Sequence, residues 1–282
     1  MNNDTLVLPA PAKINRFLHI TGRRDDGYHE LQTLFQLINF GDELTFSGRT
    51  DGKINLTTTM KGLPVEQNLV HKAALALQQA TDCALGANIK LDKRTPSGGG
   101  LGGGSSDAAT TLLGLNHLWQ ANYPQADLLK LAKSLGADVP VFMAGSTAWA
   151  EGIGEQLQPV EMPKRYVLVI KPDCEVSTAQ LFSHAELTRD HSPITIARFL
   201  EQGAGNDFEP LVRKLYPAVS HGLDWLGRYA DAQLTGTGAC LFAVFTDQQS
   251  AQEVLSELPE NFYGFVAATI NRSPLHEILG LY

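Results

Sequence analysis

An α+β fold in two parts is what the chain's patterning predicts, and three observations carry that reading. Strand-like and helix-like stretches are mixed without the regular period of a doubly wound parallel sheet. A polar, proline-marked stretch from Gln156 to Lys164 separates a first part, 1–160, from a second, 161–282. A run of glycines stands between a predicted strand and a predicted helix inside the first part.

Taken in order, the elements follow from spacing. From Ala12 to Ile20 the residues alternate, with Ala12, Ile14, Leu18 and Ile20 on one side and Lys13, Asn15, Phe17 and His19 on the other. That predicts a strand with one apolar face, interrupted only by Arg16. Asp25-Asp26-Gly27 is a turn signal, and Leu31 to Phe40 resumes an apolar, strand-like run. Leu69, Ala73, Leu77 and Ala80 recur at helical spacing, and Asn88 to Lys93 alternates again with Ile89 and Leu91 inward. Ala108 to Trp119 reads as a helix whose stripe is Ala108, Leu112, Leu115 and Trp119. Leu128, Leu131 or Ala132, and Leu135 predict another, closed by Gly136. In the second part, Tyr166 to Ile170 is a buried strand, and Ala232–Thr235 and Leu241–Phe245 are strands meeting at Gly236-Thr237-Gly238. Ala251, Val254, Leu255 and Leu258 mark an amphipathic helix, and Phe262 to Thr269 a last strand.

Composition bounds the function. With 43% hydrophobic and 18% charged residues in 282, the chain is globular and long enough for a sizeable core. A net charge of −8 argues against a nucleic-acid binder, which needs a basic stripe. A nucleotide still fits, since clustered backbone amides outweigh a distant global charge. Cys83, Cys174 and Cys240 are far apart, odd in number and free of any CxxC pairing, which predicts reduced, buried thiols. Met1 to Pro9 lacks the pattern of a secretory leader, and no apolar run is long enough to span a membrane, so a cytoplasmic protein is expected. The eight histidines form no HxH or HExxH pattern, so no catalytic zinc is expected.

The chemistry is concentrated in Pro96-Ser97-Gly98-Gly99-Gly100-Leu101-Gly102-Gly103-Gly104-Ser105-Ser106, followed by Asp107. Six glycines in seven positions let a backbone curl tightly and be approached closely. The loop amides and the unpaired first N–H groups of the following helix then converge on one spot, which suits a polyphosphate. Ser105 and Ser106 add hydroxyls that could also cap that helix. A flexible linker is the bland alternative, but linkers are not placed between a strand and an amphipathic helix. Gly98, Gly100 and Gly103 satisfy GxGxxG, yet the acidic residue required on a second strand falls in a helical region. No Gly-Lys-Ser/Thr tripeptide is present, so a P-loop is excluded. A loop that cradles a polyphosphate is the reading that remains.

At these residues the sequence resembles the GHMP kinases, whose hallmark is a proline followed by a GLGSSAA-like loop. Pro11-Ala12-Lys13-Ile14-Asn15 with Arg24-Asp25-Asp26-Gly27-Tyr28-His29, the glycine run, Leu135-Gly136-Ala137-Asp138-Val139-Pro140, and Leu234-Thr235-Gly236-Thr237-Gly238-Ala239-Cys240 all fit, and together they span most of the chain. The extra glycines and Asp107 depart from the general family pattern. The resemblance implies an N-terminal domain of the ribosomal protein S5 domain 2 type, a ferredoxin-like C-terminal domain, and a site in the cleft between them. It implies ATP with Mg²⁺, and a cytidine-diphosphate-linked polyol phosphorylated on its 2-hydroxyl, in the non-mevalonate route to isoprenoids. A monomer or weak homodimer is expected.

Residue roles follow from the same resemblance. Asp138 would be the catalytic base, against a bland reading as a helix N-cap two residues before Pro140. Lys13 would keep Asp138 ionised and stabilise the transferred phosphoryl group, against a solvated strand lysine. Asn15 would bind the polyol. Tyr28 and Phe182 would sandwich the cytosine, His29 would bond its polar edge and Thr178 would lie nearby; core and turn roles are the alternatives for Phe182 and Tyr28. Asn68 and Lys93 would line the adenosine pocket, although a solvated strand end also suits Lys93. For Gly236 to Gly238, contact with substrate phosphates and a plain hairpin turn stay equally open. The metal ligands are undetermined, with Ser106 a candidate. Rival readings are a GHMP kinase for another alcohol such as mevalonate or homoserine, a non-catalytic nucleotide-binding protein, and a dehydrogenase.

Overall fold

A computed structural model describes residues 5–60 and 62–281. Residues 1–4, part of the stretch read for a leader, lie outside it. The chain opens with two long strands, β1 (Leu6–Arg23) and β2 (His29–Arg49), paired antiparallel. The turn forecast at Asp25–Gly27 joins them, with Gly27 in the left-handed region and Arg24 N–H bonded to the Tyr28 carbonyl. β3 (Ile54–Thr58), α1 (Leu69–Ala80) and β4 (Gly86–Asp92) follow, β4 lying parallel to β3 and antiparallel to β2. Next come α2 (Gly103–Leu118), α3 (Gln125–Leu135), α4 (Val139–Ala144), β5 (Ala148–Glu151) and β6 (Gln156–Pro159). The second part holds β7 (Tyr166–Pro172), α5 (Thr178–Ser183), α6 (Ile196–Gln202), α7 (Glu209–Leu215) and α8 (Pro217–Leu226). It closes with β8 (Ala232–Leu234), β9 (Leu241–Phe245), α9 (Gln248–Ser256), β10 (Phe262–Ile270) and α10 (Pro274–Leu279).

Strands and helices are segregated as in an α+β protein, yet the strands form one connected sheet. Its main path runs β3-β4-β2-β10-β7-β9-β8, with β1 beside β2 and the pair β5–β6 also joined to β2. β10 makes the join: it pairs with β7 from Phe262 to Ala268, then crosses to β2 through Thr269 and Ile270. One core packs α1, α2, α3 and α4 on the first strands, around Leu44, Phe46, Leu77, Leu112 and Phe142. A second gathers Leu168, Ile170, Phe208, Leu223 and Leu241. Each such side chain contributes about 1.5–3 kcal/mol on burial. Leu275 of α10 returns to the first core.

Three expectations need correction. β1 begins earlier than forecast and is buried on both sides, not one: Lys13, Asn15 and His19 are each 2% exposed. The cause is non-local. Register shifts after Pro11 and Asn15 re-aim the strand, so it feeds several clusters in succession. Of the three free cysteines, only Cys240 is buried, while Cys83 and Cys174 are half-buried. α2 starts inside the glycine run rather than after it. Among the described residues no helix is long and apolar enough to cross a membrane.

Candidate active site

The glycine loop is shaped by what its carbonyls do. Those of Gly98 and Gly99 accept from the amides of Ala239 and Cys240, both at 3.2 Å, and that of Leu101 from the Lys13 amide at 3.0 Å. The Gly100 carbonyl accepts from Lys13 Nζ at 3.0 Å and from the Thr235 hydroxyl at 3.3 Å. A trans peptide points its N–H opposite its C=O, so carbonyls held on the protein side turn the next amides outward. Among the described residues no N–H from Gly100 to Ser105 donates to a protein acceptor. Those donors, with the start of α2, face a cavity of about 330 Å³. It is lined by Asn68, Lys93 and every residue from Pro96 to Ser105, together with Met60, Leu63, Leu69 and Asp107. Glycine is compulsory at two positions here. A Cβ at Gly100 would stand 2.2 Å from the Thr235 carbonyl, and one at Gly103 would stand 2.2 Å from the Thr95 hydroxyl.

The second glycine turn therefore has a job that sequence reasoning left open. It is the antiparallel β8–β9 hairpin turn, and its backbone clamps the first loop through Ala239 and Cys240. Gly236 also reaches a second, larger cavity of about 610 Å³. That cavity is lined by Lys13, Asn15, Tyr28, His29, Asp138, Thr178 and Phe182, so the residues assigned to catalysis and to the acceptor share one space. Ser105 is the residue common to the linings of both cavities.

At the junction, Lys13 Nζ lies 3.3 Å from Asp138 Oδ2. It also donates to Asn15 Oδ1 at 2.6 Å and sits 5.1 Å from the centre of the Phe35 ring. Its side chain is 3% exposed, so the solvated-lysine reading is wrong. Asn15 is locked in turn: its Nδ2 donates to Thr33 and its amide to the Thr235 hydroxyl, both at 2.9 Å. Asp138 does hold the N-cap position of α4, but its side chain makes no capping bond. The carboxylate instead faces Lys13 and remains 36% exposed, open to a ligand.

Among the cytosine candidates, the rings of His29 and Phe182 lie 5.0 Å apart, and Tyr28 is exposed. His29 Nε2 accepts from Arg189 Nε at 3.1 Å, a partner with no signal in the sequence. Burial, then the charges of Arg189 and Arg23, hold His29 below its usual value, so the ring is a neutral acceptor on that nitrogen. Thr178 bonds Thr237 at 2.7 Å, tying α5 to the second glycine turn.

On the nucleotide side one assignment changes, that of Ser106, and the bland alternative for Lys93 falls. Ser106 is fully buried and donates to the Pro11 carbonyl at 2.7 Å; it lines neither cavity and caps nothing. The N-cap of α2 is Gly102, without a side-chain bond. Ser105, by contrast, keeps its hydroxyl free among the described residues. Lys93 is no solvated strand end: its Nζ lies 2.6 Å from both Asp42 Oδ2 and Asp107 Oδ2. Asn68 caps α1 by accepting from Val70 N–H at 2.9 Å. Asp42 also accepts from the amides of Arg94 and Thr95. Burial would push Asp42 up, but Lys93 and Thr95 outweigh it and hold the carboxyl below the usual range. For Asp107 burial wins, pushing it up to about 8 against the pull of Lys93.

His19, His191 and Asp207 form the metal-like cluster of the described residues. The two imidazoles stack face to face, 3.5 Å between centroids and 13° between planes, so their in-plane lone pairs run side by side and do not converge.

The comparisons agree with this geometry. Residues 68–146 match the GHMP kinases N terminal domain and residues 184–264 the GHMP kinases C terminal domain. The chain is 51% identical to the 4-diphosphocytidyl-2-C-methyl-D-erythritol kinase of Mannheimia succiniciproducens, over 98% of this chain and 91% of that protein. It is 52% identical to the one from Pseudomonas syringae pv. syringae, over 99% of both. A crystal structure of 4-(cytidine 5'-diphospho)-2C-methyl-D-erythritol kinase superposes with a TM-score of 0.83 at 31% identity, covering 94% of this chain and 99% of that one. The Methanococcus jannaschii mevalonate kinase, 14% identical with a TM-score of 0.69 over 96% of this chain and 100% of that one, shares the fold. By its glycine loop, its two matched domains and its full-length relatives, the chain belongs to the GHMP kinases and, within them, to the 4-diphosphocytidyl-2-C-methyl-D-erythritol kinase family.

Proposed function

We propose that the chain is an ATP-dependent kinase that phosphorylates the 2-hydroxyl of 4-diphosphocytidyl-2-C-methyl-D-erythritol, in the non-mevalonate isoprenoid pathway. The observation that carries this is the Lys13–Asp138 pair, in an acceptor cavity that meets the glycine-loop cavity at Ser105. ATP lies along the loop with its phosphates on the amides of Gly100 to Ser105 and its base toward Asn68, Lys93 and the apolar Met60, Leu63 and Leu69. The cytidine end of the acceptor occupies the end of the larger cavity with Tyr28, His29, Thr178 and Phe182, and the polyol reaches Asn15.

Phosphoryl transfer asks a protein to position the reactants and to stabilise spreading negative charge. Asp138 takes the proton from the attacking hydroxyl. Lys13, fixed by Asn15 and the Gly100 carbonyl, pairs with that carboxylate and offsets charge on the transferred group. Its bond to Gly100 couples the base to the phosphate loop directly. Mg²⁺ fits the donor set, since it favours hard oxygens and binds through few protein groups plus phosphates. Ser105 and the open carboxylate of Asp138 are the oxygens that would hold it, and it would neutralise the ATP phosphates. The division of the chain at residue 160 is part of the same proposal; most of the second core comes from residues after 160, with Leu18 and Ile20 of β1 joining it.

The test is ADP release with ATP and 4-diphosphocytidyl-2-C-methyl-D-erythritol, against mevalonate and homoserine as controls. Turnover that depends on the cytidylyl acceptor is expected; none with it, or equal turnover with a control, would overturn the assignment.

A further inference from the structure

Arg189 stands in the loop between α5 and α6, outside the motifs that mark the site. Arginine carries five N–H donors and no acceptor. Four bonds use them here: Nε to His29 Nε2 at 3.1 Å, Nη1 to the Leu187 carbonyl at 3.0 Å, and Nη2 to the carbonyls of Phe182 at 2.8 Å and His184 at 2.7 Å. All four partners are uncharged, so the guanidinium is held as a brace rather than as half of an ion pair. Three of the bonds fold the loop back on the end of α5, which carries Phe182, and the fourth crosses to His29 at the start of β2. The side chain thus ties together the two rings, 5.0 Å apart, that line the cytidine end of the larger cavity.

The bond to His29 has a chemical consequence. A guanidinium can only donate, so His29 Nε2 must present its lone pair, and a neutral imidazole then carries its proton on Nδ1. Burial, then the charges of Arg189 and Arg23, disfavours the imidazolium. Nδ1 has no partner among the described residues and is not sealed from solvent, and the ring lines the larger cavity. His29 therefore offers that cavity a donor and no acceptor. Without Arg189 the ring can carry its proton on either nitrogen, and it meets the N–H of a base as readily as a carbonyl or a bare ring nitrogen. We propose that Arg189 is a positioning residue for base recognition: it works through His29, locking the Nδ1–H tautomer so that the ring donates to a hydrogen-bond-accepting atom on the polar edge of the substrate's pyrimidine. A base presenting N–H at that point would set donor against donor. This inference rests on the cytidylyl reading of the larger cavity and adds the residue that sets the direction of the bond.

The test begins with ¹⁵N NMR of the histidine rings of the full chain at neutral pH, the His29 signals being identified by their loss in His29→Ala. Wild type is expected to show Nδ1 protonated and Nε2 bare. A bare Nδ1, or both nitrogens protonated, would overturn the inference. The second measurement is the KM for 4-diphosphocytidyl-2-C-methyl-D-erythritol in wild type, Arg189→Met, His29→Ala and the double variant. Arg189→Met should raise it by about three- to tenfold, the worth of one hydrogen bond, with the KM for ATP unchanged. In the His29→Ala background the same change should add less than about twofold, because Arg189 acts through the ring. The full rise in both backgrounds would make Arg189 a brace for the Phe182 loop alone and overturn the inference. No turnover of the cytidylyl substrate by wild type would remove the reading on which the inference rests, an outcome distinct from turnover with independent effects of the two residues.

Discussion

Replacing Asp138 by Asn separates chemistry from scaffolding at one atom. The carboxylate has a single charged partner, Lys13 Nζ at 3.3 Å, and its side chain is 36% exposed. It makes no capping bond to α4, so its loss does not cost the usual ~1 kcal/mol of an N-cap. A partly solvated pair of that length is worth at most about 1 kcal/mol, and Lys13 keeps Asn15, Gly100 and the Phe35 ring after the change. The unfolding free energy should therefore move by less than ~1 kcal/mol. Activity should behave differently, because a positioned base contributes roughly 10²–10⁴-fold, or about 3–5 kcal/mol of barrier. The assay is coupled ADP release for kcat, paired with urea unfolding followed by fluorescence. A kcat within tenfold of wild type would refute Asp138 as the base. A stability loss of several kcal/mol would refute the argument that its role is chemical rather than structural.

Further outcomes follow from neighbouring residues. Lys13→Met should lower kcat by about 10²–10³-fold and also destabilise the protein by about 1–3 kcal/mol, since buried Asn15 Oδ1 loses its donor while Gly100 keeps Thr235; steady-state kinetics beside urea unfolding reads both. Gly103→Ala would force a Cβ to 2.2 Å from Thr95 and 3.0 Å from Lys93 Nζ, so the KM for ATP should rise at least tenfold while the acceptor KM holds. Phe182→Ala should raise the acceptor KM alone, by the ~1–3 kcal/mol of a lost base stack; equal rises in both KM values would place Phe182 in the fold rather than the site. His19 is held at about 4, by burial first and His191 second, below the ordinary 6.5. A depressed folded value means stability that is present above pH 6.5 and is lost as pH falls through about 4, on the order of 1–3 kcal/mol, and His19→Gln should flatten that slope in unfolding experiments across the window.

How much was legible in advance divides by range along the chain. Patterns complete within a dozen residues were readable: the helix at Leu69–Ala80, the alternation that makes β4, the turn at Asp25–Gly27 and the β8–β9 hairpin all stand where spacing put them. The glycine-rich strand-to-helix loop was readable too, since six glycines between a strand and a helix leave few physical options. Short helices such as α5, α6 and α7 were missed, having too few turns to show a period. The pairing of the two proposed catalytic residues was borne by long-range packing: Lys13 and Asp138 are 125 residues apart in sequence, and only the docking of α4 and β1 against the glycine loop brings them to 3.3 Å. Arg189 on His29 and Asp42 on Lys93 carried no local signal, because a lone charge reads as solvated until the fold buries it. The sequence by itself determined the elements and the chemistry available to them. Tertiary structure alone decided that both faces of β1 are buried, that Ser106 turns inward while Ser105 faces both cavities, and that Asp107 is a buried acid. The physical reason is that burial and the electrostatics it governs depend on which surfaces close over a residue, and those surfaces come from distant parts of the chain.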